Sequence, residues 1–337
     1  MIRPDPPKRL VVRLPNWLGD AVMALPALVA VRAAFPDTTL ALAGLPSITP
    51  VFEEPTDVRP EEIVAVEKRS EAAKLRSGSY DAELLLTNSF GSAWIAKRSG
   101  APQRWGYSAN LRGPLLTHRV KLPRRQLHQS EYYLELVRGL GIDAAPAVPR
   151  IRVSEATRRR AQRLYDDAGV SASTVVGFAP GAAYGYAKRW PPDRVAKVIT
   201  RATRELHTHC VLVGAAADRE AGREIESSLP PDVRTTNLIG RTDLRLLIGV
   251  LERCRAFVSN DSGAMHLAAA VGVPVTAIFG PTNERATAPL GDHDIILHQV
   301  FCRPCMLREC PIDHRCMKRI GADEVFAAVT RRLERTA

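Results

Sequence analysis

Asp261-Ser262-Gly263-Ala264-Met265-His266 brings together the residue types that hold an anion. Ser262, Gly263 and Ala264 open an apolar helix, where unpaired N–H groups and the helix dipole favour negative charge such as a diphosphate. Gly263 lets that anion approach the backbone, and His266 lies one turn on. Asp261 is unsuited to touching phosphate and suits a hydroxyl, a divalent ion or an orienting task. An ordinary βα turn capped by Asp261 or Ser262 would show the same residues. A second loop, from Ala179 to Pro191, carries Gly181, Ala182 and Ala183 ahead of Lys188. Small residues can cradle a phosphate with backbone N–H groups while the lysine neutralises it. The spacing is not that of a nucleoside-triphosphate P-loop. Asp218 and Glu220 follow another apolar run and could hold ribose hydroxyls, although either would serve equally as a helix cap or first-turn acid. Asp20, in Trp17-Leu18-Gly19-Asp20, stands near the start of a helix. The dipole there keeps a carboxylate ionised, so it reads as a base at neutral pH or as a plain N-cap.

Such residues need strands and helices that deliver them to one edge. Short apolar runs read as buried parallel strands at Leu10–Leu14, Thr39–Ala43, Ile63–Val66, Ala82–Leu86 and Arg104–Tyr107. A second series reads as strands at Thr174–Phe178, Cys210–Val213, Thr235–Ile239, Ala256–Val258 and Val275–Phe279. Ala21 to Phe35 predicts one long helix, with Pro26 kinking it or disturbing its first turn. Each half begins as strand, small-residue turn and helix. Parallel α/β sheets bind ligands at the C-terminal ends of their strands, which makes Asn88 and Ser89 candidates as well.

The chain has 337 residues, 45% of them hydrophobic, which suits two globular domains. No run reaches the length of a membrane helix and the N-terminus lacks a secretory h-region, so a cytoplasmic location is expected. The formal net charge is +11, which favours anionic partners or a mildly basic soluble enzyme. Positive charge is dense from Arg98 to Arg125, as an acidic-ligand surface or a solvated face. Cys302, Cys305, Cys310 and Cys316 crowd near the C-terminus with one C-x2-C hook. That leaves zinc open, while reduced structural thiols are the plainer reading. Neither Gly turn shows G-x-G-x-x-G, which argues against a dinucleotide oxidoreductase. No nucleic-acid motif accompanies the charge, so no nucleic-acid partner is expected.

Six pieces together carry a resemblance: RLPNWLGDAVMALPAL, TNSFGSA, GYSANLRGPLLTHRV, PGAAYGYAKRWP, NDSGAMHLAAAVGVPVTAIFGPT and the tail CRPC…ECPIDHRCM. In that order they are similar to the ADP-heptose:lipopolysaccharide heptosyltransferases, glycosyltransferase family nine. Tyr186-Ala187 stands where relatives often carry Pro-Ala. The resemblance implies a GT-B fold, two Rossmann-like domains with parallel sheets facing across a cleft. It places an acceptor-binding domain at 1–150, a linker at 151–173, a nucleotide-sugar domain at 174–320, and a final helix at 321–337 crossing back to the first domain. It implies inverting transfer of L-glycero-D-manno-heptose from ADP-heptose to the first heptose of the lipopolysaccharide inner core, or a related transfer with another acceptor or nucleotide-sugar. Asp20 would be the base. Lys188, Asp261, Ser262, Gly263, Ala264, His266, Gly181, Ala182, Ala183, Asp218 and Glu220 would line the donor site. Asn16, Gly19, Asn88, Ser89, Arg112 and Arg119 would meet the acceptor. The partners implied are ADP-heptose, a phosphorylated heptosyl-Kdo2-lipid A and the cytoplasmic face of the inner membrane, touched peripherally. No cofactor is required by these motifs, Mg2+ is compatible with them, and no metal ligand is assigned.

Overall fold

The computed structural model describes residues 4–170 and 174–335, and the chain divides between Ile151 and Arg152 into two compact units. The first unit runs β1 (Arg9–Arg13), α1 (Leu18–Met23), α2 (Leu25–Ala34), β2 (Thr39–Gly44), β3 (Glu62–Ala65), α3 (Glu71–Ser77), β4 (Ala82–Leu85), α4 (Phe90–Ser99), β5 (Gln103–Tyr107), β6 (His118–Val120) and α5 (Gln129–Arg138). Its six strands are parallel, in the order β3-β2-β1-β4-β5-β6. Val11, Ala41 and Leu85 are fully buried, as parallel strands with both faces covered require. The single helix expected from Ala21 to Phe35 is two helices, because Pro26 sits in the first turn of α2 and donates no N–H.

The second unit runs α6 (Glu155–Asp167), β7 (Val175–Ala179), α7 (Pro192–Leu206), β8 (His209–Leu212), α8 (Arg219–Ser227), β9 (Thr235–Asn237), α9 (Leu244–Glu252), β10 (Ala256–Asn260), α10 (Gly263–Ala270), β11 (Val275–Phe279), α11 (Glu284–Thr287), β12 (His293–Leu297), α12 (Arg315–Lys318) and α13 (Ala322–Arg335). Its sheet is also parallel and ordered β12-β11-β10-β7-β8-β9. Counted from the first strand of each unit, both sheets therefore follow the doubly wound order 3-2-1-4-5-6. The strand order reverses between β1 and β4 in one unit and between β7 and β10 in the other. Connections leave in opposite directions at such a point and open a crevice at the strands' C-terminal ends.

Two expectations about the domains change. The stretch taken as a linker, 151–173, contains α6, which packs on α9: the Tyr165 hydroxyl donates to the Val250 carbonyl at 3.1 Å, and Arg158 pairs with Glu252 at 2.7 Å. Residues 171–173 lie outside the described residues. The final helix was expected to cross back to the first domain. Instead Val325, Ala328 and Val329 of α13 join the core of the second unit with Phe178, Trp190 and Ile278. Arg332, buried on the same helix, pairs with Asp294 at 2.8 Å and with Asp292. An apolar stripe ending in a neutralised arginine holds α13 there. No described helix is long and apolar enough to cross a membrane.

Candidate functional sites at the two switch points

In the second unit the loops after β7 and β10 are bound together. Asn260, at the end of β10 and 2% exposed, donates from Nδ2 to the Pro180 carbonyl at 2.6 Å, and its Oδ1 accepts from the Trp190 N–H at 3.3 Å. Lys188 then reaches Asp261: Nζ and Oδ2 are 2.6 Å apart, and both side chains are largely buried. The same carboxylate oxygen accepts from the Thr282 hydroxyl at 2.6 Å, and the Tyr184 ring lies 4.6 Å from Lys188 Nζ. Of the tasks open to Asp261, the orienting one is the one seen. Its charge holds the ammonium at the mouth of the crevice. Ser262 is the N-cap residue of α10 but makes no capping bond with its side chain; its hydroxyl lies 3.1 Å from that of Ser259. Gly263 and Ala264 form the first turn. His266 is buried at 4% exposure.

Asp218 is not placed to hold ribose hydroxyls as expected. It is buried, accepts from the Ala215 N–H at 3.1 Å and pairs with Arg189 at 3.2 Å, so its oxygens serve the loop itself. It also explains Gly181: a Cβ there would run into the Asp218 carboxylate. Ala182 is buried beside it and Ala183 is exposed. Glu220 is exposed in the first turn of α8 and lines a cavity of about 350 Å³ with Tyr186, Arg189, Trp190 and Glu224.

The cysteine-rich tail passes over this loop. Its Arg308 carbonyl accepts from the Ala187 N–H at 3.0 Å, and its Met306 carbonyl accepts from the Tyr184 hydroxyl at 2.8 Å. Arg303 donates to the Gly280 carbonyl at 2.6 Å and to the Thr282 carbonyl at 2.9 Å. Gly185 has no room for a side chain beneath Arg308. Cys302, Cys305, Cys310 and Cys316 are all free thiols, and burial followed by the other three thiols raises the Cys316 pKa. Among the described residues no group of three or more His, Cys, Asp or Glu is arranged to hold a metal.

In the first unit Asn16, Gly19 and Asp20 follow β1, and Asn88 and Ser89 follow its neighbour β4. Asp20 is half-buried at the third position of α1. The N-cap is Trp17, so Asp20 is not there as a cap. Burial first, and the Asp20 carboxylate second, hold the Tyr133 phenol well above its usual range, which places that charge beside α5. Asn16 accepts from Arg13 at 3.0 Å, and Arg13 is paired with Glu71 at 2.7 Å. Ser89 caps α4 by accepting from the Ser92 N–H at 3.0 Å.

Arg112 was expected to meet the acceptor, but it is fully buried. It donates to the Tyr107 carbonyl at 2.7 Å, to the Thr87 carbonyl, and to Asn88 Oδ1 at 3.1 Å; burial lowers its pKa to about 10. Its task is to hold Asn88, whose Nδ2 donates to the Tyr132 hydroxyl. Arg119 is exposed on β6, at the sheet edge and away from the switch point. Asn260, Thr282 and Tyr132 carry geometry that sequence reasoning did not assign. Thr282 had the one readable signal, a hydroxyl just past the end of a strand.

A model of glycosyltransferase family 9 (heptosyltransferase) matches residues 69–315. The lipopolysaccharide heptosyltransferase 2 of Salmonella typhimurium is 31% identical over 303 residues, covering 84% of this chain and 85% of that protein. The lipooligosaccharide heptosyltransferase 2 of Campylobacter jejuni is 27% identical over 331 residues, covering 95% and 98%. The solved structure of Escherichia coli ADP-heptose LPS heptosyltransferase II superposes with a TM-score of 0.83 at 27% identity, over 97% of this chain and 99% of that one. The two six-stranded sheets are those of the GT-B fold. With two doubly wound units and a lysine held at the second switch point, the chain belongs to glycosyltransferase family 9, the heptosyltransferases.

Proposed function

We propose that this protein transfers L-glycero-D-manno-heptose from ADP-heptose to the first heptose of the lipopolysaccharide inner core, with inversion. The observation that carries the reading is the Lys188–Asp261–Thr282 network at the switch point of the second unit, beside the start of α10. The ADP diphosphate sits against the Ser262-Gly263-Ala264 turn and the Ala179–Pro191 loop, where Lys188 offers charge and the helix offers N–H groups. His266 lies under the same turn. Glu220, exposed at the rim of the cavity beside the lysine loop, is the acid left to meet ribose hydroxyls once Asp218 is taken by Arg189. The acceptor belongs to the switch point of the first unit, with Asn16, Gly19, Asn88 and Ser89 around it.

Asp20 takes the proton from the acceptor hydroxyl as its oxygen bonds to the anomeric carbon. The bond from that carbon to the diphosphate oxygen breaks, and ADP leaves with the electron pair. Negative charge grows on the diphosphate, where Lys188 and α10 are already in place. No step is assigned to a divalent ion: the Asp261 carboxylate is engaged by Lys188 and Thr282. The enzyme is read as cytoplasmic, in peripheral contact with the inner membrane, where a phosphorylated heptosyl-Kdo2-lipid A is presented.

The test is transfer from ADP-heptose to mono-heptosylated Kdo2-lipid A, read by mass spectrometry. One added heptose is expected. Donor binding without transfer would move the acceptor elsewhere in the core. An absence of ADP-heptose binding would overturn the reading and point to another nucleotide-sugar.

A further inference from the structure

The cysteine-rich tail carries a cation that the donor site described above does not use. Its backbone is fixed over the lysine loop. The Ala187 N–H donates to the Arg308 carbonyl at 3.0 Å, and the Met306 N–H donates to the Pro281 carbonyl at 2.9 Å. Arg303 anchors the start of this strap, with its guanidinium buried against the Gly280 and Thr282 carbonyls and paired with Glu284 at 2.6 Å. The side chain of Arg308, by contrast, is exposed. Its guanidinium lies 5.3 Å from the centre of the Tyr184 ring, and Lys188 Nζ lies 4.6 Å from the same centre. The two cations are therefore no more than about 10 Å apart.

Their surroundings differ. Lys188 is paired with Asp261 at 2.6 Å, Arg189 with Asp218 at 3.2 Å and Arg303 with Glu284 at 2.6 Å. Of these four cations Arg308 alone has no carboxylate partner among the described residues. The Asp261 carboxylate offsets much of the charge on Lys188. That pair offers an arriving diphosphate a well-aimed hydrogen bond but little net charge. The uncompensated charge beside the lysine loop is the one on Arg308. A guanidinium also presents its donors as a planar fork, which matches two oxygens of a phosphate at once.

We infer that Arg308 is a second catalytic cation, meeting the diphosphate of the nucleotide-sugar together with Lys188. It holds the negative charge that grows there as the bond from the anomeric carbon breaks. The reaction written above is otherwise unchanged: ADP leaves with the electron pair, and Arg308 stays protonated throughout. The bonded strap sets the backbone of Arg308 in advance, so little beyond its own side chain has to be ordered when the donor arrives. The inference rests on the reading that a diphosphate occupies the lysine loop.

The experiment is calorimetric titration of the full chain with ADP and with AMP, beside kcat and KM for ADP-heptose. Arg308→Gln is expected to weaken ADP by about tenfold and AMP by less. It should lower kcat by about one to two decades and leave the thermal midpoint unchanged, since the side chain is exposed. Arg308→Lys, which keeps the charge and loses the fork, should recover part of both losses. Wild-type kcat and ADP affinity in Arg308→Gln would overturn the inference. An equal loss for ADP and AMP, or a lowered midpoint, would give Arg308 a structural part in the strap and overturn it too. Lys188→Ala separates the two readings. If that variant loses ADP while Arg308→Gln keeps it, the inference falls and the donor reading stands. If wild type binds no ADP, both fall together.

Discussion

Lys188 shows how a single charge is made useful. A free lysine at the end of a Gly- and Ala-rich loop would lose several rotors on meeting phosphate. Asp261, Thr282 and Tyr184 have already fixed it. Lys188→Ala is expected to lower kcat by about two to three decades, the usual loss of about 2–4 kcal/mol for one transition-state contact. Asp261→Asn should also slow turnover, and the double variant should lose less than the sum, because the carboxylate acts through the lysine. Asp20→Asn is expected to cost about two to four decades in kcat with ADP-heptose affinity unchanged by calorimetry. A matching loss of donor affinity would remove the base assignment. With Asp261 occupied, turnover should persist in EDTA; abolition restored by Mg2+ would show a divalent ion in the reaction. Arg112→Met should destabilise the fold by about 2–4 kcal/mol in urea melts, since it removes the donors to the buried Tyr107 carbonyl, the part-buried Thr87 carbonyl and Asn88.

On the scale of elements, β4 carries a pH-dependent strain. Glu83 is buried in the middle of the sheet, and its Oε1 has no hydrogen-bond partner among the described residues. Burial raises its pKa from 4.5 to about 7; Glu71 adds to the rise, and Ser99, Arg13 and Arg104 oppose it. The folded state thus holds this proton more tightly than the unfolded chain does. The contribution to stability is complete below pH 4.5 and is lost as the pH rises through about 7. The span amounts to about 3 kcal/mol. Glu83→Gln should flatten that dependence and be the more stable protein at pH 8 by thermal melting. In the second unit, Gly181→Ala should raise the KM for ADP-heptose sharply, and adding Asp218→Ala should recover part of it by removing the clash. These elements were unequally legible. Strands such as Val275–Phe279 are uninterrupted apolar runs and read directly. The edge strands β6, with only three residues, and β12, half-buried, lack that signal. Arg112 and Asn88 were visible as polar residues near strand ends. That each satisfies the other is a long-range fact, 24 positions apart in the chain, which composition does not encode.

The whole molecule repeats one topology twice and equips each copy differently. The first copy gathers hydroxyl- and carboxylate-bearing residues at its reversal point, and the second gathers a cation and helix N–H groups. That doubling could be read from two strand–turn–helix openings, whereas the seat of the last helix could not. An amphipathic segment such as Ala322–Arg335 announces that it will be buried, but not against which sheet. Reassignment of α13 to the second unit predicts that Arg332→Met leaves Asp292 and Asp294 without this buried cation and lowers the thermal midpoint. The tail strap has a further meaning in the order of synthesis. Met306, which closes over the lysine loop, is translated 122 residues after Tyr184. β7 precedes that interval and β10 is made within it, so both strands of the switch point are complete before the loop gains its roof. Cleavage of the finished protein between Arg303 and Arg308 is expected to loosen that roof and lower turnover with both sheets intact, checked by assaying nicked against intact protein.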